Sequence, residues 1–248
     1  MNFFSKLRPG QEPAIPQRPS SAGNTRPGSA VATATAGNSN GSTGVESKGG
    51  RQSNGLKEFL VQLDGIGRGH LLDFGPARQS TLNFFIERGF KVYTEDLLAT
   101  WQYFLEEQAQ QLKQLAADGD RSEFSVEGRA EKFLKTTMQF PDDTFDAILM
   151  WDNLDYLDNE LMTRLATRMT TLLRDGGVVF AMFHTKKPTQ FHRYKVLDAQ
   201  NLELIPANCA FQPQRVFQNR EISNLFSRYR SSKMFVGRDQ IREGLFVK

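Results

Sequence analysis

The chain has 248 residues, of which 39% are hydrophobic, and a formal net charge of +3. This length and apolar content permit one sizeable folded domain with a core. No apolar run approaches the ~18 residues of a membrane-spanning helix, and the start of the chain has too short an apolar segment for a signal peptide. The only cysteine, Cys209, excludes an intrachain disulfide and a cysteine-cluster metal site. A single cysteine suits a reducing compartment, so we expect a cytoplasmic location.

Residues 1–55 are rich in Ser, Gly, Ala, Asn, Thr and Pro and contain no long apolar segment. Such a segment buries too little surface to offset its chain entropy, so we predict a disordered tail over 1–55 and a folded domain over 56–248. The tail carries six basic and two acidic residues, and residues 212–248 carry eight basic and three acidic ones. These basic ends could meet nucleic acid or a membrane surface, but they form no dense run, so we favour ordinary surface charge.

The predicted elements alternate between strand and helix along the folded part. Helical spacing of apolar residues predicts helices over 56–64, 79–88, 97–117, 158–173 and 219–228. Apolar runs and alternation predict strands over 70–74, 90–94, 145–151, 178–183, 193–197, 202–205 and 244–247. The charged stretch 118–132 contains no clear strand. Alternation through 70–183 predicts a mostly parallel sheet with helices on both faces.

The stretch 71–96, LLDFGPARQSTLNFFIERGFKVYTED, carries the strongest functional signal. It is a strand–turn–helix–strand unit in which an acid ends each strand: Asp73 ends the first, and Glu95 and Asp96 end the second. In doubly wound α/β folds, such units bind nucleotide-like ligands at the carboxyl ends of the strands.

The approach to Asp96 in this stretch and two further segments fit the same fold in the expected order. They are ERGFKVYTEDL at Asp96, FPDDTFDAILMWDNLDYLD over 140–158 and LLRDGGVVFAMFH over 172–184. Together with LLDFGPARQ, they make residues 70–184 resemble the core of class I S-adenosylmethionine-dependent methyltransferases. The resemblance implies a Rossmann-like, doubly wound sheet and transfer of a methyl group from S-adenosylmethionine to an acceptor that the sequence does not identify.

The resemblance also implies which residues hold the cofactor: Asp73, Gly75, Ala77, Glu95 and Asp96. Asp96 falls where the family places the acid that binds the ribose hydroxyls, although an Asp before a helix can equally act as its N-cap. We expect Asp73 to organise the loop backbone. Gly75 lets that backbone approach a ligand closely, because glycine lacks Cβ. Ala77 and Gln79 occupy the positions of the family's next two glycines.

Asp152 and Asn153 follow the fourth strand, where the family often places catalytic or substrate-facing groups. Asp152 could act as a general base and Asn153 could orient an acceptor, while Asp152 could also merely cap the loop. Tyr156 could line the mouth of the same cleft. His184 could face the pocket, but an ordinary loop histidine is the simpler interpretation. Histidine spacing predicts no metal site.

Two other hypotheses follow, one from residues that depart from the family motifs and one from the basic segment near the C-terminal end. The replaced glycines at Ala77 and Gln79, with Arg129 where the family often has an adenine-binding acid, would suit a catalytically inactive binding or scaffold protein. The segment RYRSSK over 228–233 lies near Phe226, Tyr229 and Phe235, a pattern that could bind RNA and would suit an RNA-modifying methyltransferase. The alternative for that segment is an amphipathic helix covering the sheet edge.

Overall fold

The computed structural model of the protein describes residues 50–116, 119–237 and 239–248. The helices in this part are α1 (Asn54–Leu63), α2 (Gln79–Ile86), α3 (Leu97–Gln114), α4 (Val126–Thr137), α5 (Asn159–Leu172) and α6 (Asn219–Leu225). The strands are β1 (Arg51–Gln52), β2 (Gly69–Asp73), β3 (Phe90–Thr94), β4 (Phe145–Trp151), β5 (Leu173–His184), β6 (Phe191–Val196), β7 (Asn201–Ala207), β8 (Ser231–Val236) and β9 (Ile241–Val247).

The main sheet has six strands in the order β3-β2-β4-β5-β9-β8. The first four are parallel, as the alternation predicts, and β9 and β8 are joined antiparallel at the other side. A second, three-stranded antiparallel sheet has the order β1-β7-β6. Its hairpin β6–β7 lies in the chain between the neighbouring strands β5 and β9, so it is an insertion between two partners of the main sheet.

Two apolar cores cover the two faces of the main sheet. Leu72 and Leu71 are both fully buried, but they belong to different cores, because successive side chains of a strand point to opposite faces. Helices α3, α4 and α5 pack on the face of Leu72. Helices α1 and α2, together with the β6–β7 hairpin, pack on the face of Leu71. The predicted doubly wound α/β architecture is therefore confirmed.

Helix caps explain several boundaries. The Asp158 side chain accepts a hydrogen bond from the Leu161 backbone N–H at 2.9 Å and starts α5. Ser125 caps α4 in the same way through the Gly128 N–H at 2.9 Å. The sequence did not reveal α4, because only Ala130 and Phe133 are buried along it and the apolar periodicity is short.

Within the described residues, secondary structure begins before residue 56. Arg51 and Gln52 pair with β7, and the Arg51 guanidinium forms ion pairs with Asp239 and Glu243. The rest of the predicted tail, residues 1–49, lies outside the described residues.

The prediction of helix over 219–228 is too long, and the amphipathic helix suggested for 228–233 is wrong. Helix α6 ends at Leu225, and Ser231–Val236 form the edge strand β8. An exposed edge strand with two serines and a lysine lacks the clear apolar alternation on which strand prediction depends. Among the described residues, no helix combines the length and apolarity needed to cross a membrane.

Candidate functional site

Four parallel strands bring the predicted site residues to one edge of the sheet. In the register of β2 with its two neighbours, Asp73 lies opposite Thr94 of β3 and Leu149 of β4. The residues that follow these strand ends, Asp96 and Asp152, are therefore held on either side of the β2 end. Residue His184 ends β5 at the same edge. This edge is the ligand-binding edge of doubly wound folds.

Asp73 organises the loop after β2, as the sequence predicts. Its Oδ1 accepts hydrogen bonds from the Gly75 backbone N–H at 2.8 Å and from Trp151 Nε1 at 2.7 Å. Burial raises the pKa of Asp73 to about 6, although both hydrogen bonds favour the ionised form. Because Oδ1 already accepts these two hydrogen bonds, Asp73 fixes the conformation of the loop.

Gly75 is required by a side chain of the protein itself. A Cβ on Gly75 would lie 2.9 Å from Trp151 Nε1 and 3.1 Å from Asp73 Oδ1. Trp151 has φ of 53°, a left-handed conformation that is costly for a bulky residue. Its indole stacks on the Tyr194 ring with centroids 5.4 Å apart and planes 7° apart. The strained turn at the end of β4 thus directs Trp151 across Gly75 and against β6.

Asp96 is both an N-cap and an ion-pair partner. Its Oδ1 accepts from the Ala99 N–H of α3 at 3.4 Å, and the guanidinium of Arg193 on β6 lies 2.9 Å from the same oxygen. The cap role that the sequence leaves open is therefore present. Glu95 instead accepts a hydrogen bond from Thr100 Oγ1, and burial raises the pKa of Glu95.

Asp152 lies in a cluster with His184, Asp155 and Tyr194. The Tyr194 hydroxyl donates to Asp152 Oδ2 at 3.0 Å, and His184 Nε2 lies 3.6 Å from that oxygen. On its other side, the His184 imidazole contacts Asp155 Oδ2 through Nδ1 at 2.8 Å, and its backbone N–H donates to the same oxygen. The interpretation of His184 as an ordinary loop histidine is wrong, since only 8% of the residue is exposed.

Burial and mutual charge tune the acid–base groups of this cluster. Burial raises the pKa of Asp152 to about 7 against the lowering effect of the His184 charge. Burial alone would lower the pKa of His184, but the hydrogen bond to Asp155 and the two nearby carboxylates outweigh it and raise the pKa. Burial also raises the pKa of Tyr194, so its hydroxyl stays a neutral donor. A carboxyl group that titrates near neutrality suits proton transfer.

The other predicted positions have simpler surroundings. The Asn153 amide donates to the backbone oxygens of Phe74 and Met150, both at 2.9 Å, and so ties the β4 end to the β2 loop. Ala77 is exposed in that loop. Tyr156 is 2% exposed and packs edge to face against Phe191, with ring centroids 5.1 Å apart.

A shallow cleft lies between the ends of β2 and β4 and strand β6, and its space of about 210 Å³ includes open solvent. The β2 loop at Gly75 and Pro76 forms one wall, the β4 end from Trp151 to Asn153 forms another, and β6 from Phe191 to Tyr194 forms the third. The sequence missed this third wall, because β6 belongs to an inserted hairpin and no local motif marks Arg193 or Tyr194 as site residues.

Two of the three aromatic rings near the basic C-terminal segment belong to the core. Phe226 and Tyr229 are 3% and 8% exposed, and Phe226 stacks on Phe246 with centroids 3.7 Å apart. Stacking of nucleic-acid bases requires accessible rings, so these two rings are unsuited to it, whereas Phe235 of β8 is only partly buried.

The chain belongs to the methyltransferase-domain family. The family model described as "Methyltransferase domain" matches residues 51–229, which include the whole parallel part of the sheet and the site edge. The predicted membership of the methyltransferases is thereby confirmed. No curated protein matches the chain significantly.

Solved methyltransferase structures are similar to this chain at low identity. The Burkholderia thailandensis 1,6-didemethyltoxoflavin-N1-methyltransferase with bound S-adenosylhomocysteine is 16% identical over 79% of each chain, with a TM-score of 0.41. A SAM-dependent methyltransferase from Archaeoglobus fulgidus is 13% identical over 78% of this chain and 91% of that one, with a TM-score of 0.43. TM-scores this low do not support a functional inference, so the assignment of the chain to the methyltransferase-domain family depends on the family model.

Proposed function

We propose that the protein transfers a methyl group from S-adenosylmethionine, with Asp96 binding the donor and Asp152 accepting the proton of the acceptor. The observation that carries this proposal is the juxtaposition of the two carboxylates on either side of the Gly75 loop, at the ligand-binding edge of a methyltransferase-family sheet. The acceptor is identified by neither the family nor this juxtaposition.

The residues at this edge fit the donor in part. Asp96 presents a carboxylate whose side chain is 26% exposed, and its contacts with Ala99 and Arg193 both fall on Oδ1. Its second oxygen can therefore accept a ribose hydroxyl. Gly75 fits less well, because its N–H is bonded to Asp73 and the space above its Cα is taken by Trp151. We assign donor binding chiefly to Asp96, with Gly75 and Ala77 keeping the loop small and Glu95 supporting the start of α3 through Thr100.

S-adenosylmethionine supplies a methyl group on a sulfonium sulfur, which an acceptor lone pair takes while the carbon–sulfur bonding pair returns to the sulfur. The chain then has to hold the acceptor in line and remove its proton. Asp152 lines the cleft, and burial raises its pKa to about 7, which suits proton exchange near neutral pH. Tyr194 and His184 fix the Asp152 carboxylate, and Asp155 fixes His184. Asn153 holds the β4 end in place.

The donor assignment is tested by calorimetric titration of the full chain with S-adenosylmethionine and S-adenosylhomocysteine. We expect binding, and we expect Asp96→Ser and Asp96→Ala to weaken it equally, by about 10- to 100-fold, because each removes charged hydrogen bonds worth about 1.5–3 kcal/mol. Serine keeps the helix cap and alanine removes it, so only alanine should also lower the melting temperature.

Three outcomes would overturn parts of the proposal. Absence of binding at millimolar ligand favours the catalytically inactive scaffold protein. Unchanged affinity in both Asp96 variants removes Asp96 from the site. Recovery of affinity in Asp96→Ser but not in Asp96→Ala would mean that the residue acts only as a cap.

Two finer predictions remain proposals. A cytoplasmic location is supported by the single cysteine. An RNA acceptor has little support, since Phe226 and Tyr229 are buried. RNA binding would be revealed by salt-sensitive affinity that falls when Arg228 and Arg230 are neutralised.

A further inference from the structure

The His184 imidazole lies between two buried carboxylates at the carboxyl ends of β4 and β5. Its Nδ1 lies 2.8 Å from Asp155 Oδ2, and its Nε2 lies 3.6 Å from Asp152 Oδ2. The side chains of His184, Asp152 and Asp155 are 10%, 3% and 0% exposed. Because little water reaches these groups, a charge on one of them acts strongly on the others.

Asp155 fixes which nitrogen of the imidazole carries a proton. Its Oδ2 accepts the His184 backbone N–H at 2.8 Å and also faces Nδ1. An ionised carboxylate only accepts hydrogen bonds, so Nδ1 is a donor, and Nε2 is the nitrogen that gains or loses a proton beside Asp152. Burial raises the pKa of Asp155, and the hydrogen bonds from His184 with the charges of His184 and Arg242 oppose that effect.

The Asp155 carboxylate also requires a positive charge close to it. In the described part of the chain, its Oδ1 has no hydrogen-bond partner, and its ion-pair contact is with His184. A buried carboxylate with one oxygen unpartnered is costly unless a cation lies nearby. The imidazolium form of His184 supplies that cation at hydrogen-bond distance, so the surroundings of Asp155 favour a charged His184.

The other charged and titratable groups around His184 come from the neighbouring strands. Burial lowers the pKa of His184, but the hydrogen bond and charges of three carboxylates outweigh it, namely Asp155, Asp152 and, in the turn between β8 and β9, Asp239. Burial also lowers the pKa of His192 on β6, and the His184 charge lowers it further. Burial raises the pKa of Tyr194, which therefore donates to Asp152 as a neutral hydroxyl. Negative charge thus predominates on the sides of His184 that face Asp152, Asp155 and Asp239.

We propose that His184 is a positioning residue for Asp152: its imidazolium, held by Asp155, is the charge that lets the buried Asp152 carboxylate ionise near neutral pH. The proton that His184 and Asp152 share then lies on Nε2. In methyl transfer, the acceptor proton forms an O–H bond with the ionised Asp152, and the electron pair that bound it stays on the acceptor atom. The inference rests on the proposed function for the role of Asp152 as a base, whereas the charge of His184 is a property of the cluster alone.

The charge of His184 is measured by NMR titration of the full chain with ¹⁵N-labelled histidine, because the chain contains only three histidines. We expect the His184 imidazole to stay protonated above pH 7. Asp155→Asn should weaken its proton binding about tenfold or more, since an opposite charge within ~4–6 Å changes a pKa by about 1–3. Asp198→Asn, which changes a carboxylate at an exposed turn, should leave the titration as it is.

The effect on Asp152 is measured with ¹³C-labelled aspartate, and Asp152→Asn assigns its carboxyl signal. His184→Gln removes the positive charge and keeps an amide that can bond to Asp155, so Asp152 should bind its proton about tenfold or more tightly. His192→Gln is the matched control, because it replaces a histidine of the cleft whose pKa is lowered. A histidine with a merely structural role would leave the Asp152 titration unmoved.

Two results would overturn the inference. One is a His184 that is neutral at pH 7, which the unsubstituted chain reveals even if His184→Gln fails to fold. The other is an Asp152 titration that a folded His184→Gln chain leaves unchanged. Titration with S-adenosylhomocysteine separates the two proposals. Absent binding together with coupled titrations retains the charged cluster and removes methyl transfer, while binding together with a neutral His184 retains methyl transfer and removes the positioning role.

Discussion

Gly75 shows how one residue of a binding loop can be fixed by packing. Its missing Cβ makes room for the Trp151 indole, whose Nε1 would otherwise stand 2.9 Å from that carbon. Trp151 in turn donates to Asp73, so the glycine, the indole and the carboxylate form one unit. The family motif at this position is therefore explained here by intramolecular contacts, and it does not by itself indicate a bound donor.

The substitution Gly75→Ala should destabilise the fold by about 1–3 kcal/mol, because the new methyl group has to displace a stacked tryptophan. Gly67→Ala is a matched control, since a Cβ there meets nothing within 4 Å, and it should change stability by no more than ~0.5 kcal/mol. Urea unfolding followed by circular dichroism measures both. Equal midpoints for the two variants would show that Trp151 moves aside freely.

At the scale of elements, strand β6 has the largest influence on the site. It contributes Arg193 to Asp96, Tyr194 to both Trp151 and Asp152, and the Val196 N–H to Thr81 Oγ1 of α2 at 3.1 Å. The guanidinium of Arg193 thus holds the carboxylate that we assign to the donor ribose. The second oxygen of Asp96 can accept one ribose hydroxyl, but binding of both hydroxyls has to exchange part of the contact between Arg193 and Oδ1.

Arg193→Ala should therefore raise the affinity for S-adenosylhomocysteine, by about two- to fivefold if the pair is worth up to ~1 kcal/mol. Lys195→Ala is the control on the same strand, because Lys195 pairs with Glu203 of β7 and does not line the cleft. Calorimetric titration of both variants distinguishes them. Weaker binding in Arg193→Ala would mean that Arg193 binds the donor instead of competing with it.

The sequence predicted the elements whose signals are local. Strand β4 has the predicted bounds, and β2 and β3 agree within one residue, because continuous apolar runs end at acids or turns. Asp73 and Asp152 could be found because each directly follows an apolar run, and Asp96 because it lies two residues after the alternating strand β3. Arg193 and Tyr194 could not, because their roles depend on long-range packing of an inserted hairpin, and Asp155 could not, because its partner His184 ends another strand, β5. Strand β8 was missed because an edge strand needs no apolar face.

Across the whole molecule, several buried acid–base groups hold protons more tightly in the folded state. Burial raises the pKa of Asp73 to about 6 and that of Asp152 to about 7, from an ordinary value of 3.8. The pKa of His184 is also raised. The folded chain therefore binds more protons than the unfolded chain between these values, so its stability falls as the pH rises from 3.8 to about 7.

The melting temperature should accordingly be higher at about pH 5.5 than at about pH 8, by roughly 5–10 °C for a domain of this size. Asp152→Asn removes the carboxyl group whose pKa is raised most, so it should flatten the dependence of the melting temperature on pH. Asp198→Asn, at an exposed turn, should leave it as it is. Calorimetric melts across this range provide the measurement, and a profile that rises with pH, or that Asp152→Asn leaves unaltered, would contradict the assignment.

Because Trp151 stacks on Tyr194, its intrinsic fluorescence can report on the contact between the β2 loop and β6. The sequence contains two tryptophans. Trp101 lies in the opposite core, stacked on Phe104 with centroids 5.4 Å apart. Trp151 is bounded by the Asp73 carboxylate and the Tyr194 ring, two groups whose positions depend on how β6 meets the loop. In a Trp101→Phe chain, the remaining intrinsic emission would come from the boundary between the donor loop and the hairpin, so displacement of β6 could be followed in real time without an attached dye.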